Sequence, residues 1–346
     1  MSEASGTEAN VSVIIPTYNR AEVLPPTASL LPAAARSQSS LRGPLKAGIE
    51  MAAVRSGLPR LLGYRRRFER LVLAYHNVVP DGETAWGEGS LHITESLFRH
   101  HLDVLQRVAT IVPLERFFRA EGHEPDGPFV AITFDDGYRG AVTVGAGELA
   151  RRDLPATYFV TPGLSSEDGF WWDRMAQSEG GSLDEELREQ CLQALAGQQA
   201  RVLEWADSTG RARQVAPDFA CPADHRELQT LTSHGHFQLG CHTWTHPNLR
   251  RLSSVERQQE FRRCRDWITE ATGEPPEVLS YPYGLESPSV RADAAAAGHR
   301  HGFRISGGWL PRAGSGEELA LPRLNIPAGL SPEGLRLRLA GLGLSS

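Results

Sequence analysis

Short apolar runs recur along this chain, separated by longer segments of helical spacing. The runs are Leu71–Tyr75, Ile111-Val112, Phe129–Phe134, Ala156–Val160, Phe237–Cys241, Val278–Tyr281, His301–Ile305 and Leu321–Asn325. Their near-continuous apolar character and glycine or proline borders predict buried strands. Between them, apolar residues return every three or four positions. In Ser90–Val108 these are Leu97, His101, Leu102, Leu105 and Val108, with Thr94 as N-cap. Further helices are predicted over Leu114–Ala120, Tyr138–Arg152, Leu183–Trp205, Asp224–Ser233, Ser254–Thr272, Val290–Ala297 and Pro332–Leu339. Gly273 and Gly298 follow two of them as stop signals. Thr161–Gly181, which carries Trp171-Trp172-Asp173, reads as a loop. Strand alternating with helix predicts a mainly parallel sheet with helices outside it, an α/β fold.

The opening is different. Val11–Arg20 is a short strand pattern ending in a proline turn, and residues 1–24 resemble the first strand of family-2 glycosyltransferases. That likeness stops at about Leu24, too early for a working transferase domain, so it reads as a remnant. Residues 25–70 follow as a linker, rich in Ala, Ser and Pro, and then a basic helix. Thr27–Pro44 holds no aromatic residue and cannot supply a core. Arg55–Arg70 interleaves arginines with Leu58, Leu61, Leu62, Tyr64 and Phe68. It reads as a solvated helix packed through its apolar side, with weak contact to an anionic membrane surface as the other reading. The globular domain is placed at residues 71–346.

Composition adds limits. A 40% apolar fraction over 346 residues suffices for one large barrel with extensions, and a net charge of −6 excludes wholesale nucleic-acid binding. The four cysteines are widely spaced, which fits a reducing compartment. No apolar run reaches membrane-spanning length, and Met1–Asn10 is polar and acidic; both favour a cytoplasmic location. Oligomeric state is not readable.

The chemistry gathers just after the strands. Phe129–Phe134 ends in Asp135-Asp136-Gly137, two adjacent anions that need a cation. Phe237–Cys241 ends in His242-Thr243-Trp244-Thr245-His246. One acid and two histidines form a common catalytic zinc set, here Asp136, His242 and His246, leaving Asp135 free as a base. Zinc suits these donors best; cobalt, nickel and manganese stay open. His234 and His236 lie before the strand, at its far end, and are set aside. In α/β barrels such residues collect at the carboxyl ends of the strands.

Thr133–Gly137 and His242–His246 resemble the first two motifs of the polysaccharide deacetylase family, and the likeness extends over about residues 71–327. It implies an irregular (β/α) barrel of about seven strands. The implied reaction is metal-dependent removal of N-acetyl groups from the amino sugars of a glycan or glycoconjugate. Asp135 would be the general base. Tyr281-Pro282-Tyr283-Gly284 resembles the third motif, which implies that the Tyr283 backbone N–H stabilises the oxyanion. Three departures stand out. Ser280 occupies the position where many members carry the arginine that pairs with the catalytic acid; Arg323 or Arg304 could supply that charge from another strand. Trp309 follows Gly308 instead of an aspartate. No histidine follows His301, so the usual late general acid is missing; His76, which ends Leu71–Tyr75 as in branches with rearranged strand order, is assigned that role. Trp171, Trp172 and Trp244 are candidates for stacking on sugar rings, Trp172 first. An O-acetyl esterase, a catalytically impaired carbohydrate-binding relative and an enzyme acting on a small or lipid-linked sugar remain as alternatives.

Overall fold

The computed structural model describes residues 50–56, 69–118, 128–165, 167–176, 182–211, 213–310 and 317–342. The transferase-like opening, the linker and most of the basic segment lie outside these residues. Ten strands are present among the described residues: β1 (Arg70–Tyr75), β2 (Asn77–Val79), β3 (His92–Thr94), β4 (Thr110–Ile111), β5 (Phe129–Phe134), β6 (Ala156–Val160), β7 (Phe237–Cys241), β8 (Val278–Ser280), β9 (His301–Gly307) and β10 (Leu321–Asn325). Seven of them close a parallel barrel in the order β1-β10-β9-β8-β7-β6-β5, with β5 pairing back onto β1. β4 pairs with the start of β5, and β2 with β3 in a separate two-stranded sheet.

Strand alternation divides the core in two. On β1 and β5, Leu71, Leu73, Tyr75, Val130, Ile132 and Phe134 face the surrounding helices. Val72, Phe129 and Ala131 face inward with Phe159, Phe303 and Leu321. Val112, Leu114 and Phe117 join this inner cluster beside Phe129 and Leu321, the first residues of their strands, and so fill the amino end of the barrel. That leaves the carboxyl end open for polar groups. The β1–β5 register runs from Arg70 opposite Phe129 to Tyr75 opposite Phe134, so His76 and Asp135 leave neighbouring strands at the same level.

The helices follow the sequence with local exceptions. Ser254–Thr272 is a single helix with a capping box from Ser253 and Glu256 and a left-handed Gly273 at its end. Leu183–Trp205, expected as one helix, is two: Glu185–Ala194 and Gln199–Ser208. Ala196 (φ 55°) and Gly197 (φ 59°) break it, and the Asn248 backbone N–H donates to the freed Ala196 carbonyl at 2.7 Å. The expected loop Thr161–Gly181 contains a helical turn, Trp171–Arg174, and Tyr138–Arg152 winds through a π stretch at Ala141–Gly145. The strands β2 and β3 are too short to show a period and were not expected. Among the described residues no helix is long and apolar enough to cross a membrane.

Candidate metal centre and active site

Alternation alone would send adjacent aspartates to opposite faces. The inward parity of Ala131 continues to Thr133 and Asp135, which places Asp135 inside the barrel mouth. Asp136 departs from the strand with φ 72°. This left-handed turn brings its carboxylate round to the histidines. Of the six non-glycine residues at positive φ among the described residues, four belong to the site's loops: Asp136, Thr243 (φ 67°), His246 (φ 54°) and Tyr283 (φ 59°). Each costs of order 1 kcal/mol or more, and such outliers collect where structure is held for function.

Asp136 Oδ1 lies 3.2 Å from both His242 Nε2 and His246 Nε2, which are 3.1 Å apart. Three ligands about 2.0–2.1 Å from a tetrahedral ion stand about 3.3 Å from one another, so the spacing suits a single zinc-sized ion. His242 Nδ1 is 2.8 Å from the Ser280 carbonyl; Nδ1–H donates there and Nε2 is left as the ligand atom. His246 Nδ1 is buried without a hydrogen-bond partner among the described residues. Among the described residues these three form the only acidic, histidine or cysteine cluster of this kind. The loop between the histidines is clamped. His246 N–H donates to Thr243 Oγ1, and the Glu260 carboxylate accepts from both the N–H and the hydroxyl of Thr245. Gly163 N–H donates to the Trp244 carbonyl, and a β-carbon on Gly163 would lie 2.5 Å from that oxygen.

Asp135 meets Arg323, which is fully buried. Arg323 Nη1 donates to Asp135 Oδ1 at 2.7 Å and Nη2 to Oδ2 at 2.6 Å. Its remaining bonds go to Ser280 Oγ (2.7 Å), Thr133 Oγ1 (3.1 Å) and the Arg304 carbonyl (2.9 Å), which uses all five guanidinium N–H groups. Phe159 and Phe303 lie beneath it, 5.4 and 6.0 Å from guanidinium carbon to ring centroid. Arg323 and not Arg304 therefore supplies the charge that Ser280 lacks, while Ser280 Oγ itself donates to Asp135 Oδ2. Burial pushes the Asp135 carboxyl up, but Arg323 and His242 outweigh it and hold the group below its usual range. Asp136 behaves alike, with its hydrogen bonds to the two imidazoles overcoming burial. Burial lowers His246, whereas Asp135 and Asp136 together raise His242. His76 is lowered, chiefly by burial, against the pull of Asp136 and Asp135.

These groups line a cleft together with Trp171, Trp172 and Tyr283. Trp172 is nearly buried. Its ring centroid lies 4.8 Å from that of His246, and its Nε1–H donates to Tyr138 Oη at 2.8 Å. It thus braces His246, and Trp171 Nε1–H likewise donates to Tyr283 Oη. Trp244 is not in the cleft; Arg263 lies over its ring. His236 is on the far side of β7, paired with Asp153.

A second polar layer was invisible in the sequence. The fully buried Asp173 accepts from His92 Nε2–H (3.1 Å), Glu88 N–H (2.8 Å) and the Tyr138 hydroxyl (2.6 Å). Asn77 Nδ2–H donates to His92 Nδ1, which fixes the tautomer. The chain Asn77, His92, Asp173, Tyr138, Trp172 ends against His246. An aspartate directly after a tryptophan pair was the one available hint.

The polysaccharide deacetylase family matches residues 122–302, just over half the chain. The chain belongs to the polysaccharide deacetylase family. No curated protein matches the sequence. Solved structures share the fold at low identity. The Streptococcus pyogenes deacetylase PplD, in complex with acetate, has 18% identity and a TM-score of 0.55, covering 79% of this chain and 99% of that one. BC0361, a polysaccharide deacetylase from Bacillus cereus, has 15% identity and a TM-score of 0.56, covering 79% and 69%. IcaB from Ammonifex degensii has 18% identity and a TM-score of 0.53, covering 79% and 97%. In this polysaccharide deacetylase, β1 with His76 and β10 with Arg323 both lie outside the family-matched residues, yet they close the barrel.

Proposed function

We propose that this protein is a metal-dependent hydrolase that removes N-acetyl groups from amino sugars of a polysaccharide or glycoconjugate. The observation that carries the reading is the convergence of Asp136, His242 and His246 within 3.2 Å, beside an aspartate held by a buried arginine. Asp136, His242 and His246 would hold the ion, zinc by donor type. When bound, it supplies Lewis acidity toward the acetyl carbonyl and makes water a better nucleophile near pH 7.

Asp135 is the base. Its Oδ2 accepts from both Arg323 Nη2 and Ser280 Oγ, whereas Oδ1 accepts only from Arg323 Nη1, so Oδ1 keeps a lone pair for a proton from water. Arg323 keeps that carboxylate ionised and fixes its plane. His76, level with Asp135 on the next strand, protonates the leaving amine in its imidazolium form, which burial disfavours and the nearby Asp136 and Asp135 carboxylates support. The Tyr283 backbone N–H donates to the oxyanion. Trp172 and Trp171 form the wall of the cleft and keep water from the reacting face.

The test is metal analysis of the purified protein, with acetate release measured from N-acetylated chito-oligosaccharides and from O-acetylated xylan. One zinc per chain is expected, lost in His246→Gln and retained in Asp135→Asn. Acetate release from the N-acetylated substrate should fall by about 10²–10⁴-fold in Asp135→Asn. Absence of bound metal, or undiminished release by Asp135→Asn, refutes the reading; faster release from xylan reassigns the bond cleaved.

A further inference from the structure

Arg188 is half-buried on the Glu185–Ala194 helix and lines the cleft with Asp135, Asp136, His242 and Tyr283. Asp184 and Glu185 stand four and three residues before it, where helical ion pairs form. It pairs with neither: Asp184 Oδ1 accepts from the Leu187 N–H as an N-cap. Among the described residues the Arg188 guanidinium has no hydrogen-bond or ion-pair partner. The other charged groups of the cleft wall are all committed. Asp135 is neutralised by Arg323, and Asp136 faces the two imidazoles. Glu88 accepts from the Ser90 hydroxyl and the Leu183 N–H. Arg188 is therefore the unspent positive charge of the cleft.

The helix that carries it is held in place. Asn248, two residues after His246, donates from Nδ2 to the Leu192 carbonyl (3.1 Å) and from its backbone to Ala196 (2.7 Å). Arg251 Nε–H donates to the Gln193 carbonyl at 3.1 Å. A β-carbon on Gly197 would lie 3.0 Å from Tyr283 Oη, so the helix end also rests on the third-motif turn. The helix is thus latched to the loop that carries both histidines. The backbone that carries the cation is thereby fixed relative to His242 and His246.

We propose that Arg188 forms an anion subsite, and that the substrate is an acetamido sugar that bears an oxyanion, phosphate or carboxylate, on the same ring as the acetamido group. The guanidinium fork matches either group and holds it by charge-assisted hydrogen bonds. This deepens the deacetylase reading and rests on it for the identity of the sugar.

The experiment compares N-acetylglucosamine 1-phosphate, N-acetylglucosaminuronic acid and the neutral methyl glycoside of N-acetylglucosamine. Acetate release and calorimetric binding to the zinc-loaded protein are measured for wild type, Arg188→Gln and Arg188→Lys. Wild type should favour an anionic sugar at least tenfold, and the favoured one names the phosphate or the carboxylate as the natural group. Arg188→Gln should lose about 10- to 100-fold in kcat/KM and in affinity for that sugar, at least tenfold more than for the glycoside, with Arg188→Lys in between. Equal treatment of the three sugars by wild type, or an equal loss on all three in Arg188→Gln, overturns the subsite. If no sugar releases acetate, binding still decides: selective loss of anionic affinity keeps the subsite while the deacetylase reading falls, and unselective binding removes it.

Discussion

Replacing Arg323 by methionine removes a buried cation while keeping most of the side chain's volume. The Asp135 carboxylate would then retain only the Ser280 hydroxyl, in a site where both side chains of the pair are buried. Breaking a buried pair from one side costs about 3–5 kcal/mol, because the remaining charge stays desolvated. For a barrel of this size about 2–4 °C of melting temperature accompanies each kcal/mol, so a fall of about 6–20 °C is expected. Asp135→Asn alone should also destabilise, since it strands the guanidinium over Phe159 and Phe303. The double variant Asp135→Asn/Arg323→Met should cost about 2–3 kcal/mol less than the two single costs added together. Urea titrations followed by tryptophan fluorescence, in chelator so that bound metal does not contribute, measure all four species. Additive costs, or an Arg323→Met penalty below about 1 kcal/mol, would refute the claim that this pair is a coupled, desolvated unit.

Three further outcomes are expected. His101 is buried between the Tyr75 hydroxyl and the Leu330 carbonyl, and burial lowers its pKa to about 4 against an ordinary value near 6.5. The unfolded chain therefore takes up this proton first as pH falls, so the His101 contribution is complete above about 6.5 and is lost down to about 4. Between pH 7 and 4, urea unfolding of wild type should lose about 3 kcal/mol more than that of His101→Gln. Gly163→Ala drives a methyl group against the Trp244 carbonyl; zinc affinity measured by competition with a chelator should fall at least about tenfold, as for loss of other outer-shell supports. Asp173→Asn leaves the Tyr138 hydroxyl without its acceptor beside Trp172. It should cost about 1–3 kcal/mol in thermal unfolding and shift the tryptophan emission; an unchanged melt would show that the buried network contributes nothing.

The strands of the barrel and the residues just beyond them were legible because each apolar run stops where its polar residue begins. Phe134 to Asp135 and Cys241 to His242 are such steps. The choice between Arg323 and Arg304 was open in the sequence, but parity would have settled it. Phe303 faces the inner cluster, so Arg304 turns away, while Arg323 shares the inward parity of Leu321. The break at Ala196-Gly197 escaped because an isolated glycine is tolerated inside helices; the decisive partner, Asn248, is fifty residues away. Asp173, His92 and Asn77 are ordinary polar letters until the fold removes their water. Arg188 reads as one charge of a solvated helix, and only the cleft's geometry sets it apart. The left-handed turn at Asp136 is likewise invisible in an Asp-Asp-Gly run, although it decides where that carboxylate points.

The closure of the barrel by its first and last strands has a consequence for how the protein comes into being. Asp135 and Arg323 are 188 positions apart, and the partner's strand is synthesised after every other stave. A fragment trimmed to residues 122–302 would be an open sheet with two raw edges and an unneutralised anion at its mouth. On the ribosome, likewise, Asp135 stays without its counter-charge until the segment around Arg323 has emerged, so the pair that closes the barrel mouth forms only after every other barrel strand has been made.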